Sequence, residues 1–189
     1  MQSDEFINLI KQITDIPNLE KDPYLHGAGL HYHPRNGKLD MHLDYSLHPK
    51  FKKERRVNLI IYFNSQWEDE WMGHTQLWNE YFTKCEKKIK PKFNTALLFK
   101  TNDISYHGLP TPLKCPNNIG RKTFAIYYLS DISSNFKNIR YKAKFRPLPD
   151  QQVNDKLLKL YKIREERIIT KNDLDNIYPE WENDRNGYW

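Results

Sequence analysis

The sequence predicts a mainly β (α+β) fold, with a jelly-roll core and helices at both ends of the chain. Residues 28–147 consist of short apolar or alternating runs separated by turn residues, a pattern typical of antiparallel sandwiches and barrels. About eight such runs occur, which is the strand number of a jelly roll. The flanking segments, 1–27 and 148–189, instead contain apolar residues at helical spacing.

The N-terminal segment begins with a short amphipathic helix. Ile7, Ile10 and Ile13 recur at helical spacing after Ser3, a residue type that caps helix N-termini. We expect this helix to pack against the outside of the sheet.

Candidate strands fill the core segment. They are LHYH (30–33), KLDMHLDY (38–45), VNLIIYFN (57–64), HTQLWN (74–79), FNTALLFKT (93–101), ISYHG (104–108) and TFAIYYLS (123–130), with a further candidate at IRYKAKF (139–145). Between the first two, Asn36-Gly37 is a dipeptide suited to a tight hairpin.

The C-terminal segment is polar and helix-compatible. It predicts one helix of about 15 to 20 residues, followed by an aromatic tail that packs on the domain or forms a dimer contact. The apolar residues of the helix are Leu157, Leu160, Tyr161 and Ile168, and the aromatic residues of the tail are Tyr178, Trp181, Tyr188 and Trp189. A chain of 189 residues is expected to form a single domain, 1–189.

Composition excludes several classes of function. The net charge of +6 comes from lysines spread along the chain, a distribution that favours a solvated surface over a nucleic-acid interface. Cys85 and Cys115 lack the spacing of a disulfide framework or zinc site. No secretory signal or apolar run of about 20 residues is visible. We expect a cytoplasmic protein, monomeric or homodimeric, without membrane contact.

A metal site is predicted by three side chains. His42 and Asp44 lie two residues apart on a candidate strand, so both point to the same face. His107 lies at the end of another strand, before Gly108, where it can supply a third donor. Two histidines and one carboxylate form the facial set that binds non-haem Fe(II) with open coordination positions. A lone histidine is more often surface or core than ligand, so the prediction depends on the three residues together.

A carboxylate clamp is predicted at Arg121 and Thr123. Their side chains share one face of a strand, where a guanidinium and a hydroxyl can hold a carboxylate through charge-assisted bonds. Ala125 would face the same interior and leave room beside the clamp. A dicarboxylic acid cosubstrate requires such a clamp.

The stretches HYHPRNGKLDMHLDY, RRVNLIIYFNSQW, GHTQLW, FNTALLFKTNDISYHGLP and RKTFAIYYL occur in this order along the chain. In order and spacing they resemble the Fe(II)- and 2-oxoglutarate-dependent oxygenases, especially the prolyl 4-hydroxylase-like branch. The resemblance covers roughly two thirds of the chain, from Gly29 to Pro147, and implies a double-stranded β-helix core, which is the cupin-like form of the jelly roll.

The resemblance also implies roles for individual residues and cofactors. Fe(II), 2-oxoglutarate and O2 would be required, with ascorbate as an optional reductant. The metal-binding and catalytic residues would be His42, Asp44 and His107, and the cosubstrate-binding residues Arg121, Thr123 and Tyr32, which lies ten residues before His42. One departure is Gly73-His74, where the family commonly has a glycine pair.

The implied activity is hydroxylation of an aliphatic C–H bond, with a prolyl residue of a protein or peptide as the favoured substrate. Asp44 favours hydroxylation over halogenation, because related halogenases have a small residue in place of the carboxylate ligand. Alternative substrates are a free amino acid, another small molecule or a glycan, and more remotely a nucleobase. An alternative of a different class is a non-catalytic, cupin-like binding module.

Overall fold

The computed structural model describes residues 1–180 as two antiparallel sheets with helices at both ends of the chain. The strands are β1 (Glu20–Lys21), β2 (Gly29–His33), β3 (Leu39–Leu43), β4 (Glu54–Tyr62), β5 (Thr75–Trp78), β6 (Cys85–Ile89), β7 (Thr95–Lys100), β8 (His107–Leu109), β9 (Arg121–Ser130) and β10 (Lys144–Phe145). The helices are α1 (Asp4–Thr14), α2 (Asp155–Glu166) and α3 (Lys171–Ile177). The predicted tail residues Trp181, Tyr188 and Trp189 lie outside the described residues.

The strand order confirms the predicted jelly roll. In one sheet β2 pairs with β9, β9 with β4, and β4 with β7; in the other the order is β3, β8, β5, β6. Each of these pairs is antiparallel. The core is therefore a double-stranded β-helix, in which residues distant in sequence face each other across the space between the sheets. β1 and β10 extend the two sheets at β9 and β3.

Helix α1 packs on the outer face of the first sheet, as predicted. The Ser3 hydroxyl accepts a bond from the Phe6 amide, and Ile7 and Ile10 are buried in a cluster with residues of β4 and β9. Ile13, by contrast, is mostly exposed. Apolar contact with the sheet therefore stabilises α1 along one face of the helix.

Several predicted elements differ from the structure. β6 was not predicted, because its sequence CEKKI is lysine-rich and largely exposed at a sheet edge. Residues 139–145 form only the short β10. Residues 104–106 precede β8 rather than belonging to it, in a turn where the Asn102 side chain accepts a bond from the Ile104 amide.

The C-terminal segment contains two helices rather than the one predicted. α2 ends at Glu166, and the next residue, Arg167, is extended. Thr170 then caps α3 in a reciprocal bond with Asp173, which Arg167 also contacts. Leu160 and Tyr161 of α2 are buried, whereas Ile168 between the helices is exposed.

The Asn36-Gly37 dipeptide lies in the turn between β2 and β3, as predicted. Asn36 has a positive φ of 65°, and the Gly37 amide donates to the Pro34 carbonyl. Within residues 1–180, Cys85 and Cys115 are both free thiols. No helix in this range has the length and apolar character needed to span a bilayer.

Candidate metal centre

His42, Asp44 and His107 meet where β3 ends and β8 begins. His42 lies on β3 and pairs directly with His107, the first residue of β8. Asp44 lies one residue beyond the end of β3. Because side chains two residues apart on an extended chain share a face, His42 and Asp44 both point into the space between the sheets.

The three side chains offer a compact set of donor atoms. Asp44 Oδ1 lies 3.8 Å from His42 Nε2, and Asp44 Oδ2 lies 3.6 Å from His107 Nε2. One potential ligand atom from each residue lies within 4.8 Å of the others, and no other group of three or more His, Cys, Asp or Glu side chains in residues 1–180 forms such a cluster. Relative exposures are 6%, 8% and 4% for His42, Asp44 and His107. The set matches the two-histidine, one-carboxylate pattern that binds Fe(II).

Backbone carbonyls fix the tautomer of both histidines. The Nδ1 atoms of His42 and His107 lie 2.8 Å and 3.0 Å from the carbonyl oxygens of Asp40 and Ser105. A carbonyl oxygen only accepts, so Nδ1 carries the hydrogen and Nε2 keeps its lone pair for a metal. Burial, together with the neighbouring His107, lowers the pKa of His42 to about 4, so its imidazole is neutral at neutral pH.

Arg55 and Asn58 hold the carboxylate of Asp44. Arg55 Nη1 lies 3.2 Å from Asp44 Oδ1, and Asn58 Nδ2 donates to Oδ2 at 3.2 Å. Burial opposes ionisation of Asp44, but Arg55 and the two histidines outweigh it and the pKa of Asp44 lies below its usual value. Sequence reasoning missed Arg55, because nothing in the pattern ERRVN shows that β4 lies opposite Asp44.

Arg121 is a buried cation at the other end of the same space. Its Nε donates to the Gly73 carbonyl at 2.9 Å, and its Nη2 to the Thr75 hydroxyl at 2.8 Å. The Tyr62 hydroxyl also donates to Thr75, at 2.7 Å. Burial lowers the pKa of Arg121, and no carboxylate in residues 1–180 forms a salt bridge with it. A buried guanidinium in these surroundings can receive the carboxylate of a ligand.

Gly73 lets the chain pass close to Arg121. Its φ is +78°, and a Cβ at this position would lie 2.6 Å from Leu113 Cδ2. Both features favour glycine at position 73. The carbonyl of this glycine is the one that accepts the bond from Arg121. The next residue, His74, stands where the resembling family commonly has a second glycine. Its Nε2 atom lies 3.5 Å from Asp69 Oδ1.

Thr123 shares a strand face with Arg121, whereas Tyr32 lies on the opposite face. Thr123 and Ala125 are buried on the same face of β9 as Arg121. Tyr32 pairs with Lys122, so it points to the opposite face, where its ring covers Gly120 and is 57% exposed. Strand alternation thus places Tyr32 on the outer face of β2, and its contact with the cosubstrate stays a prediction.

His31 and His33 lie on the inner face of β2 instead. They pair with Thr123 and Arg121, respectively. Burial, then Arg121 and His31, lower the pKa of His33 to about 4, and its Nδ1 is buried without a hydrogen-bond partner. The His-x-His spacing of His31 and His33 was the sequence signal that both side chains share one strand face. The sequence analysis gave this signal little weight.

The residues present fit both iron and 2-oxoglutarate. Two histidine Nε2 atoms and one carboxylate converge at one point, and a buried cation lies nearby without a carboxylate partner among the described residues. Thr75, which contacts Arg121, is two residues along β5 from Leu77, the partner of His107. A bound dicarboxylate could therefore extend from the metal to Arg121.

The chain is similar to known proteins in sequence and in fold. Residues 28–130 match the sequence model of the 2OG-Fe(II) oxygenase superfamily. A solved prolyl 4-hydroxylase structure from Phytophthora capsici has a TM-score of 0.51 and 18% identity, with 98% of this chain and 51% of that chain covered. A Pseudomonas putida prolyl-4-hydroxylase has a TM-score of 0.40 and 14% identity, covering 55% and 51%. The chain spans about half the length of both structures. No curated protein matches it.

Proposed function

Because the chain belongs to the 2OG-Fe(II) oxygenase superfamily, we propose that it is a dioxygenase in which His42, Asp44 and His107 bind Fe(II) and Arg121 holds 2-oxoglutarate. The observation that carries the assignment is the meeting of three buried ligand atoms within 4.8 Å of one another. Fe(II) with 2-oxoglutarate and O2 supplies oxidising chemistry that can hydroxylate an aliphatic C–H bond.

The protein contributes positioning and electrostatics. The two histidines present Nε2 and keep a proton on Nδ1, while Arg55 and Asn58 orient the carboxylate of Asp44. Arg121 anchors the distal carboxylate of 2-oxoglutarate, and the buried Thr123 hydroxyl on the same face assists it. Burial of all these groups excludes bulk water and strengthens each electrostatic contact.

We further propose that the substrate is a prolyl residue of a peptide or protein. The sequence resembles the prolyl 4-hydroxylase-like branch, and the Phytophthora capsici structure that shares the fold is a prolyl 4-hydroxylase. Prolyl peptides are therefore the first substrates to test, with free amino acids, other small molecules and glycans as the next classes.

Turnover of 2-oxoglutarate tests the ligand assignment without knowledge of the substrate. Protein purified without oxygen is supplied with Fe(II) and 2-oxoglutarate, then with O2, and succinate is quantified. His42→Ala and Asp44→Ala are expected to lower succinate formation at least about 100-fold, because each removes a metal ligand. The control is Asp69→Ala at an exposed carboxylate, with expected activity within about twofold of the unsubstituted protein. Activity that survives both ligand substitutions contradicts the assignment.

The substrate is tested by mass spectrometry for the addition of one oxygen atom. Peptides with proline in varied contexts are compared with matched peptides that have alanine at that position, and with free proline and simple glycans. Oxygen added only to the proline peptides supports the prolyl assignment. Oxygen added to a free amino acid or a glycan instead contradicts the prolyl assignment and identifies that compound class as the substrate. The dioxygenase assignment stands in either case.

A further inference from the structure

The C-terminal part of the chain contacts the strand that carries His42. We define β10 and α2, with the loop between them (144–166), as the C-terminal brace. β10 pairs with β3, and Phe145 lies directly opposite His42. The rings of Phe145 and His42 are 5.2 Å apart with an interplanar angle of 34°. The brace therefore packs against one side of a proposed iron ligand.

Helix α2 supports Phe145 from its other side. Tyr161 is buried, and its ring stacks on Phe145 with a centroid distance of 5.5 Å and an angle of 26°. The amide of Arg146, the next residue in the chain, donates to the Met41 carbonyl at 2.9 Å. His42, Phe145 and Tyr161 thus form a continuous row of packed rings that runs from the metal site to α2.

A second connection runs through Asp40. The Asp40 carbonyl accepts the bond from His42 Nδ1 at 2.8 Å, which fixes the tautomer of the ligand. The Asp40 carboxylate in turn accepts from the Tyr161 hydroxyl, and from Lys38 Nζ at 2.8 Å. Burial, and the nearby Asp40, raise the pKa of Tyr161, so its hydroxyl remains protonated and acts as a donor. Tyr161 therefore reaches His42 both through Asp40 and through Phe145.

The second histidine has a different support. His107 Nδ1 bonds to the Ser105 carbonyl at 3.0 Å, and the ring of Phe99 from β7 contacts the His107 ring at 4.7 Å. Neither partner belongs to the brace. A change in the brace should therefore act on His42 first, and on His107 only through the contact between their rings, whose centroids are 4.4 Å apart.

We propose that Tyr161 and Phe145 are positioning residues for His42, so that the C-terminal brace sets the metal affinity of the site. The inference rests on the proposed function in taking His42 as a metal ligand. Groups that orient a ligand directly change metal affinity about 10–100-fold when removed. Tyr161 acts one step further away, so we expect a loss of about three- to tenfold for Tyr161→Phe.

The test uses Co(II), which resists oxidation in air and reports coordination through its visible spectrum. Metal-free full-length protein is titrated, and the dissociation constant and spectrum are recorded for Tyr161→Phe and Phe145→Leu. The matched control is Tyr128→Phe, which removes the hydroxyl of a buried tyrosine that donates to the Met1 carbonyl, outside the brace. His42→Ala serves as the reference for loss of the ligand. Urea unfolding of each metal-free variant gives the folded fraction, to which the affinities are normalised.

We expect Tyr161→Phe and Phe145→Leu to weaken Co(II) binding and alter its spectrum, while Tyr128→Phe binds within about twofold of the unsubstituted protein. The inference is overturned if both brace variants bind Co(II) like the unsubstituted protein while His42→Ala does not, because His42 would then be a ligand that needs no brace. If His42→Ala also binds normally, the ligand assignment fails, and the role of the brace fails with it.

Discussion

Arg55 lies against Asp44, with its Nη1 atom 3.2 Å from Oδ1 of the carboxylate. The guanidinium is held between the rings of Tyr45 and Tyr127, at 3.3 Å and 3.2 Å from their centroids. Stacking of this kind on two aromatic faces restricts the guanidinium while keeping it charged. The proposed iron ligand is therefore oriented by a fixed cation before any metal binds.

Arg55→Met should destabilise the metal-free protein by about 3 kcal/mol, because it leaves the buried Asp44 carboxylate without its cation. Mn(II) should recover part of this loss, since the metal restores a positive charge beside Asp44. Urea unfolding with and without Mn(II) measures both effects. The control is Arg56→Met, which breaks a more exposed pair with Glu54 and should cost less than about 1 kcal/mol. An equal loss of unfolding free energy in the two variants would contradict the role of Arg55 as the cation that stabilises the buried Asp44 carboxylate.

Arg121→Gln should raise the KM for 2-oxoglutarate about 50-fold, because charge-assisted bonds to the distal carboxylate are lost. Metal affinity should stay unchanged, since Arg121 does not contact the three ligands. Steady-state succinate formation and Co(II) titration separate the two quantities. Lys122→Gln removes the neighbouring charge on the exposed face of β9 and should change neither. An unchanged KM in Arg121→Gln would show that the cosubstrate binds elsewhere.

Thr75→Val should raise the KM for 2-oxoglutarate about fivefold, because Arg121 keeps its charge but loses one of the two bonds that position it. The Thr75 hydroxyl connects Arg121 to Tyr62, so its loss lets the guanidinium move without changing its charge. The comparison variant is Thr123→Val, at the threonine predicted from sequence to assist the clamp. A larger effect at Thr123 than at Thr75 would favour direct contact of Thr123 with the carboxylate over positioning of Arg121 by Thr75.

The free energy of unfolding of the metal-free protein should fall as the pH drops from 6.5 towards 4. His33 takes up a proton near pH 6.5 in the unfolded chain but only at about 4 in the folded protein. Its contribution to stability is therefore complete above 6.5 and is lost as the pH falls towards 4. His33→Gln cannot titrate and should show a shallower decline in urea unfolding between pH 7 and 5. An identical decline in both proteins would contradict the burial of His33.

Local sequence pattern was enough to predict much of the site. His42 and Asp44 share a face because strands alternate with a period of two, and this holds whatever the strand pairs with. The same alternation placed Arg121, Thr123 and Ala125 on one face of β9, which the structure confirms. Had the register of β2 against β9 been known, alternation would also have placed Tyr32 on the face opposite Arg121.

What the sequence determined by itself was the set of strands, the face on which each polar residue lies, and the family to which the ordered motifs belong. Only the tertiary structure decided which of those faces meet: Arg55 with Asp44, Thr75 with Arg121, and Tyr161 with Asp40. The reason is physical. Alternation along a strand follows from local backbone geometry, whereas contact between sheets depends on register and packing across residues far apart in sequence.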